Sequence, residues 1–388
     1  MQLRNTLLHD LLKPMPWGVF DRLVDKHKAD KHVRTLSTKD QLIALLQAQL
    51  SGATSLREIE TTMASHGARL YHLGVTAPKR STLADANRER PAGVFVELFQ
   101  VLLARAHKPL RQDAKNAVRL IDSTSVSLSN LCNGWASYEA HGAGAKMHVV
   151  YDPDAQTPVH FTVTAQRCSD INAAKGMPIE AGATYVFDLG YYDFAWWAKL
   201  AENNGRFVTR LKSNTPTKLV EERSIPPDVA QRGRVIADRI VRLPARLKGT
   251  RQHPLACDLR EVHVIIDTGK KLRIVSNDLT SPAEVIADLY KTRWQIELFF
   301  RWVKQTLRIK KFLGTSENAV RIQLAVALIA YLLLRIAQAA QKDVKSPLAF
   351  ARLVRSNLMH FKTIHSLGPA EPPPPKTPTE QMQLNLHG

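Results

Sequence analysis

Between Leu289 and Leu307 the chain reads LYKTRWQIELFFRWVKQTL, an apolar stretch interrupted by Tyr290, Arg293, Glu297 and Lys304. At about 100° per residue these four share an arc of roughly 60° on one helix face. Leu289, Ile296, Phe300, Val303 and Leu307 form a second stripe, and Trp294, Leu298 and Trp302 a third on the opposite side. Both flanks are therefore expected to be buried, and the polar face to line a site. A row of structural ion pairs is the simpler reading, but Arg293 before Glu297 is the less favourable order for such a pair on a helix.

Two more carboxylates stand out by position. Asp122 falls inside an alternating β-branched run, AVRLIDSTSVSLS, and Asp188 ends another, ATYVFDLGYYD, just before Gly190. Aspartate is depleted from strands, and burying it costs several kcal/mol unless it is paired or coordinates a cation. Each alone reads as a turn former or an ion-pair partner. Together with Glu297 they can form one cluster of negative charge in a basic chain, suited to a divalent metal. Magnesium prefers oxygen ligands and binds through a few carboxylates plus substrate phosphate oxygens. Two such ions about 4 Å apart drive in-line displacement at phosphorus, with Arg293 and Lys304 beside them as phosphate clamps.

The elements that must position these groups fall into five segments. Residues 1–115 show apolar recurrence at three and four residues and read as an all-helical front end. In it, Ser55 and Glu58 form a capping-box start that Gly67 can stop, and Ser81 is expected to cap a short helix. Arg80 and Arg88, with Lys79 and Arg90, give that helix a basic surface suited to a DNA backbone, or else simply solvated. Residues 116–212 alternate strands with a helix capped by Asp193, as in an α/β domain on one central sheet. Residues 213–272 read as a basic, β-rich insertion, and the sheet resumes in KLRIVSND. Residues 273–345 carry the opening helix, launched by a capping box at Ser281, Pro282 and Glu284. Residues 346–388 end in a proline-rich tail expected to be disordered.

Composition narrows the partners. The chain has 388 residues, 44% of them hydrophobic, and a formal charge of +19. It can bury a sizeable core, and its excess of Lys and Arg points to a polyanion, nucleic acid first. The run Ile322 to Leu334 is too short to span a bilayer and reads as a core helix, so no membrane partner is expected. The N-terminus lacks a secretory pattern. Cys132, Cys168 and Cys257 are too widely spaced for a zinc site and read as buried thiols in a reducing cytoplasm. His141, His148 and His160 read as structural or DNA-contacting rather than metal ligands, Trp196 and Trp197 as core, and Lys146 as a backbone contact.

The spacing Tyr290, two residues, Arg293, three residues, Glu297, six residues, Lys304 resembles the Y-R-E-K signature of the DDE transposases of bacterial insertion sequences (insertion sequence four family). IDSTSV around Asp122 and FDLGYYD around Asp188 are similar to the first two acidic motifs of that family, and the likeness covers about residues 116 to 335. Residues 35 to 95 resemble the N-terminal region of one branch. The resemblance implies a ribonuclease H-like mixed sheet with a β-rich insertion and an all-helical N-terminal domain. It implies that Asp122, Asp188 and Glu297 hold two magnesium ions, manganese substituting, for cleavage at the element's ends and strand transfer into target DNA. Tyr290, Arg293 and Lys304 would grip the terminal DNA, and double-stranded inverted-repeat ends and target would be bound by a homodimer assembled on DNA. One departure concerns the hairpin route: relatives that stack a flipped base use an aromatic residue in the insertion, whereas residues 213 to 289 contain no Phe, Tyr or Trp. The alternatives are a nuclease on the same scaffold that cuts without joining, and a non-catalytic DNA-binding derivative.

Overall fold

The structure is a computed structural model that describes residues 5–110, 117–128, 132, 135, 137–138, 142–231, 233–245, 252–307, 309, 312–341 and 343–368. His141 and the proline-rich tail lie outside the described residues. Seven helices come first: α1 (Leu7–Leu11), α2 (Trp17–Lys26), α3 (Thr38–Ser51), α4 (Leu56–Ser65), α5 (Gly67–Leu70), α6 (Arg80–Glu89) and α7 (Gly93–Leu110). Their starts follow the sequence where a side chain can take an unpaired N–H. Ser37 and Asp40 form a reciprocal capping box on α3, and Ser55 accepts from the Glu58 N–H on α4. Two expectations fail here. α4 ends at Ser65 before Gly67, which instead opens α5, and α6 starts at Arg80 with Lys79 at its cap position, so Ser81 lies inside the helix.

The sheet begins with β1 (Val118–Leu128), β2 (Ser137–Tyr138), β3 (Gly142–Asp152) and β4 (Thr157–Ala165). After α8 (Asp170–Ala174) come β5 (Thr184–Val186), α9 (Phe194–Glu202) and β6 (Arg206–Arg210). β3 runs antiparallel to β1 and to β4, while β5 and β6 run parallel to β1. The order β4-β3-β1-β5-β6, with only β3 reversed, is the ribonuclease H-like sheet. The insertion then adds β7 (Lys218–Glu222), α10 (Pro227–Gln231), β8 (Val235–Arg242), β9 (Asp258–Ile265) and β10 (Lys271–Ser276). β10 pairs with β6, so these strands extend the central sheet in the order β10-β9-β8-β7 instead of forming a separate body. They are stitched by charged pairs, including a buried bidentate Arg260–Asp238 bridge and Arg273–Glu261.

Four helices follow: α11 (Ala283–Thr292), α12 (Trp294–Thr306), α13 (Glu317–Ala340) and α14 (Pro347–Asn357). The expected capping box at Ser281 does not form. Asp278 has drawn in the Thr280 and Ser281 hydroxyls and backbone N–H groups, so Ser281 is already committed when the helix begins. α13 is long and apolar enough to cross a membrane by composition, but most of it is covered by α3, α6, α7 and α14, as the core reading expects. The N-terminal helices, α12, α13, α14 and one face of the sheet share a single apolar core. Asn318 joins the layers: its amide donates to the Asn87 and Arg90 carbonyls that the end of α6 leaves unsatisfied, and its oxygen accepts from Ala92. On the other face, Ile121, Phe187, Tyr191, Trp196, Trp197 and Phe207 form a second, aromatic core, which accounts for both tryptophans. Of the cysteines only Cys132 is buried; Cys257 is exposed in the insertion, contrary to expectation.

Candidate active site

β1 sends Leu120 and Val126 into the large core and Ile121 into the aromatic one, so even-numbered residues face α12 and α13. Asp122 is on that even face. β1 and β5 pair in register up to Leu120 and Val186; two residues beyond on each chain stand Asp122 and Asp188, near enough for the Asp188 carboxylate to act on that of Asp122. β5 ends at Val186, not at Asp188. The chain turns there through Leu189–Tyr191, and the Asp188 carboxylate caps the turn by accepting the Gly190 N–H at 2.8 Å.

The helix carrying the other polar groups is broken where the sequence suggests continuity. Arg293 ends α11 and starts α12, with tightened bonds from its N–H to Tyr290 and from Ile296 to its carbonyl. The preceding Thr292 hydroxyl donates back to the Leu289 carbonyl, a local bond that competes with the regular helical ladder. The break points the Arg293 guanidinium across to the strand. Its Nη1 lies 3.5 Å from Asp122 Oδ2 and its Nη2 donates to Glu297 Oε1 at 2.6 Å. One planar fork therefore joins the two carboxylates, whose oxygens are within roughly 8 Å of each other.

The charges confirm the crowding. Burial, with the Asp188 and Glu297 carboxylates nearby, raises Asp122 to about 6 despite the Ser123 N–H and Arg293. Burial also raises the Tyr290 phenol, over whose ring the Arg210 guanidinium lies at 5.8 Å. Behind the strand, the Tyr191 hydroxyl is held well above its ordinary value by burial and by the carboxylates of Asp122, Asp170 and Asp188.

The remaining expected residues lie at different distances from this group. Lys304 is half-buried in the last turn of α12, about 10 Å along the axis from Glu297. Arg80 and Arg88 are on α6 in the helical layer, and the Arg88 guanidinium is held by Asp85 and Glu89 of its own helix. The flank of Trp294, Leu298 and Trp302 is not buried as expected: Trp294 is 50% and Leu298 44% exposed. That side borders a cavity of about 340 Å³ between the insertion and α11, lined with Arg210, Arg234, Tyr290, Lys291, Arg293 and Trp294. Sequence reasoning missed Arg210, Arg234 and Asp170. Asp170 accepts from the Ser123 hydroxyl and from Lys146, next to a neutral, fully buried His148. Only the side-by-side placement of Lys146 and His148 on one strand face hints at it in the sequence.

Residues 113–333 match the family model described as Transposase DDE domain. The chain belongs to the DDE transposase family. Residues 3–76 match a Domain of unknown function (DUF4372). The transposase is 42% identical over 305 residues to y4zB of Sinorhizobium fredii, a protein named as a transposase, covering 79% of this chain and 83% of the relative. It is 30% identical over 295 residues to a protein of Geobacillus stearothermophilus named as a transposase for insertion sequence element IS5377, covering 75% and 76%. It is thus an enzyme of DNA transposition, and its family depends on divalent metal. Among the described residues no three His, Cys, Asp or Glu side chains converge closely enough to hold a metal as they lie. The donor set nevertheless suits a hard cation: the Asp122 carboxyl is an oxygen donor raised by burial and by neighbouring carboxylates, and Arg293 lies between it and Glu297 as an internal counter-charge.

Proposed function

We propose that Asp122, Asp188 and Glu297 hold two magnesium ions and that the transposase cuts the ends of its own element and joins them to target DNA. The observation that carries this reading is the Arg293 guanidinium shared between Asp122 on the central strand and Glu297 on α12. When bound, the ions activate the attacking oxygen and stabilise the leaving oxygen of an in-line displacement at phosphorus. Asp122 would supply a ligand from the middle of β1, Asp188 one from the turn after β5, and Glu297 one from the helix. With cations neutralising its two carboxylates, the Arg293 guanidinium would be available to the scissile phosphate, whose geometry its fork matches. Tyr290, steadied by Arg210, lines the path of the terminal strand, and Lys304 takes a backbone phosphate further along α12. The cavity rimmed by Arg210, Arg234 and Lys291 extends this basic surface toward the insertion. Double-stranded ends and target are held by a homodimer that assembles on DNA, with Arg80 and Arg88 as contacts of the helical layer.

The test uses duplexes from the element's ends. Glu297→Gln should abolish cleavage and leave end binding intact; full cleavage by that variant contradicts the assignment. Precleaved ends should yield joined products with target DNA, whereas a nuclease would yield shortened strands alone. Lys304→Ala should weaken end binding and lower the slope of log affinity against log salt by about 0.9, the loss of one phosphate contact.

A further inference from the structure

Outside the proposed ligands, one carboxylate touches the supports of two of them. Ser123 follows Asp122 on β1 and points to the opposite face of the sheet, where Lys146 and His148 stand on the neighbouring strand. Both polar groups of Ser123 are used. Its N–H donates to Asp122 Oδ1 at 2.7 Å, and its hydroxyl donates to Asp170 Oδ1 at 2.8 Å. Lys146 donates to the same Asp170 oxygen at 3.1 Å and to the Cys168 carbonyl at 3.2 Å, fixing the start of α8 against β3. The other Asp170 oxygen faces the Asp188 turn: a Cβ placed on Gly190 would stand 3.2 Å from Asp170 Oδ2 and 3.0 Å from Asp188 Oδ1. Glycine is what lets that turn close against both carboxylates.

We propose that Asp170 is a positioning residue that sets the separation of Asp122 and Asp188, holding the strand of the first through Ser123 and packing against the turn of the second at Gly190. The inference rests on the reading of Asp122 and Asp188 as metal ligands. Asp170 is not a ligand itself, because it lies on the far face of β1 and is spent on Ser123 and Lys146. Groups that orient metal ligands in this way typically govern 10- to 100-fold in metal affinity.

The test is titration calorimetry of the full chain with Mn²⁺ alone, beside thermal melting. Asp170→Ala should weaken Mn²⁺ binding about 10-fold or more. Asp170→Asn, which keeps an acceptor for the Ser123 hydroxyl, should restore most of the affinity. Ser123→Ala removes only the link to the strand and should weaken binding several-fold with little change in melting, so it decides the matter if Asp170→Ala is unstable. Wild-type Mn²⁺ affinity in Ser123→Ala, and in Asp170→Ala where it folds, overturns the positioning role. Asp122→Asn is the control: if it binds Mn²⁺ like the wild type, the metal reading itself fails, and the positioning role with it.

Discussion

The helical layer and the strand extension β7–β10 reach stability by opposite means. The helices around α13 are joined mainly through apolar side chains, with links from amides and guanidiniums to backbone carbonyls, Asn318 to α6, Gln49 to the Leu307 carbonyl and Arg355 to those of Leu50 and Thr306, and with ion pairs such as Lys26–Glu97 at the exposed edge. The extension is thin and charged. Arg260–Asp238, Arg273–Glu261, His263–Glu261 and Arg239–Glu222 cross or flank its strands, and the edge strand β7 is exposed along its whole length. The extension packs apolar residues too, Leu259, Val262, Val264 and Val275 among them, but its neighbouring strands are also tied to one another by ion pairs. The contrast predicts that the two regions fail under different insults.

The largest effect is expected in the extension. Arg260 and Asp238 have side chains only 3% and 5% exposed, so Arg260→Ala leaves a buried carboxylate without its partner and should cost about 3–5 kcal/mol in a denaturant titration. Replacing both partners, Arg260→Met with Asp238→Leu, should recover most of that loss; no recovery would mean that the pair is needed for more than charge balance. Leu328→Ala, at a fully buried position of α13, should cost about 2–5 kcal/mol through lost transfer energy and the cavity left behind. A much smaller loss would show that the shared helical core can collapse onto the gap.

Acid sharpens the comparison further. Burial works to raise Glu261, but hydrogen bonds from His263 and Arg273 outweigh it and hold the group at about 2; burial at Asp278 is likewise outweighed by the Ser281 and Thr280 bonds, again giving about 2. Both folded values lie below the ordinary 4.5 and 3.8. Their contribution is therefore complete above about pH 5 and is lost as pH falls toward 2. Amide exchange in β8–β10 should accelerate over that window before exchange in α13 does; simultaneous acceleration would argue against separate failure. The smallest effect belongs to Arg239→Ala, which breaks a half-exposed pair with Glu222 and should cost less than about 1 kcal/mol, vanishing in high salt.

Much of this arrangement can be read in the residues. The β-branched alternation around Asp122 and the apolar run before Asp188 forecast two strands, the second of which stops at Val186, and turn residues marked the hairpin of β3 and β4. Local chemistry sufficed there because each signal sits inside its own element. Legibility failed wherever a competing bond or a covering element, near or distant in sequence, decided the outcome. Ser281 resembles a cap until Asp278 claims its hydroxyl, and the Leu289–Leu307 stretch resembles one helix until Thr292 and Arg293 break it. Trp294 and Leu298 resemble core residues because periodicity reports an apolar stripe but not whether another element covers it. Asp170 in CSDINA carries no functional signal of its own, and its importance lies in Ser123 and Lys146, which are distant in sequence.

The position of α13 also bears on how the molecule comes into being. The first seven helices are synthesised early, yet the surface that completes their hydrophobic interior emerges more than two hundred residues later. At elongation rates of about 5–20 residues per second, the leading segment waits on the order of 10 s or more beside the ribosome with its apolar side uncovered. Maturation of this polypeptide is thus tied to the synthesis of α13, and a nascent chain stalled before that helix emerges is expected to be a client for a holdase chaperone.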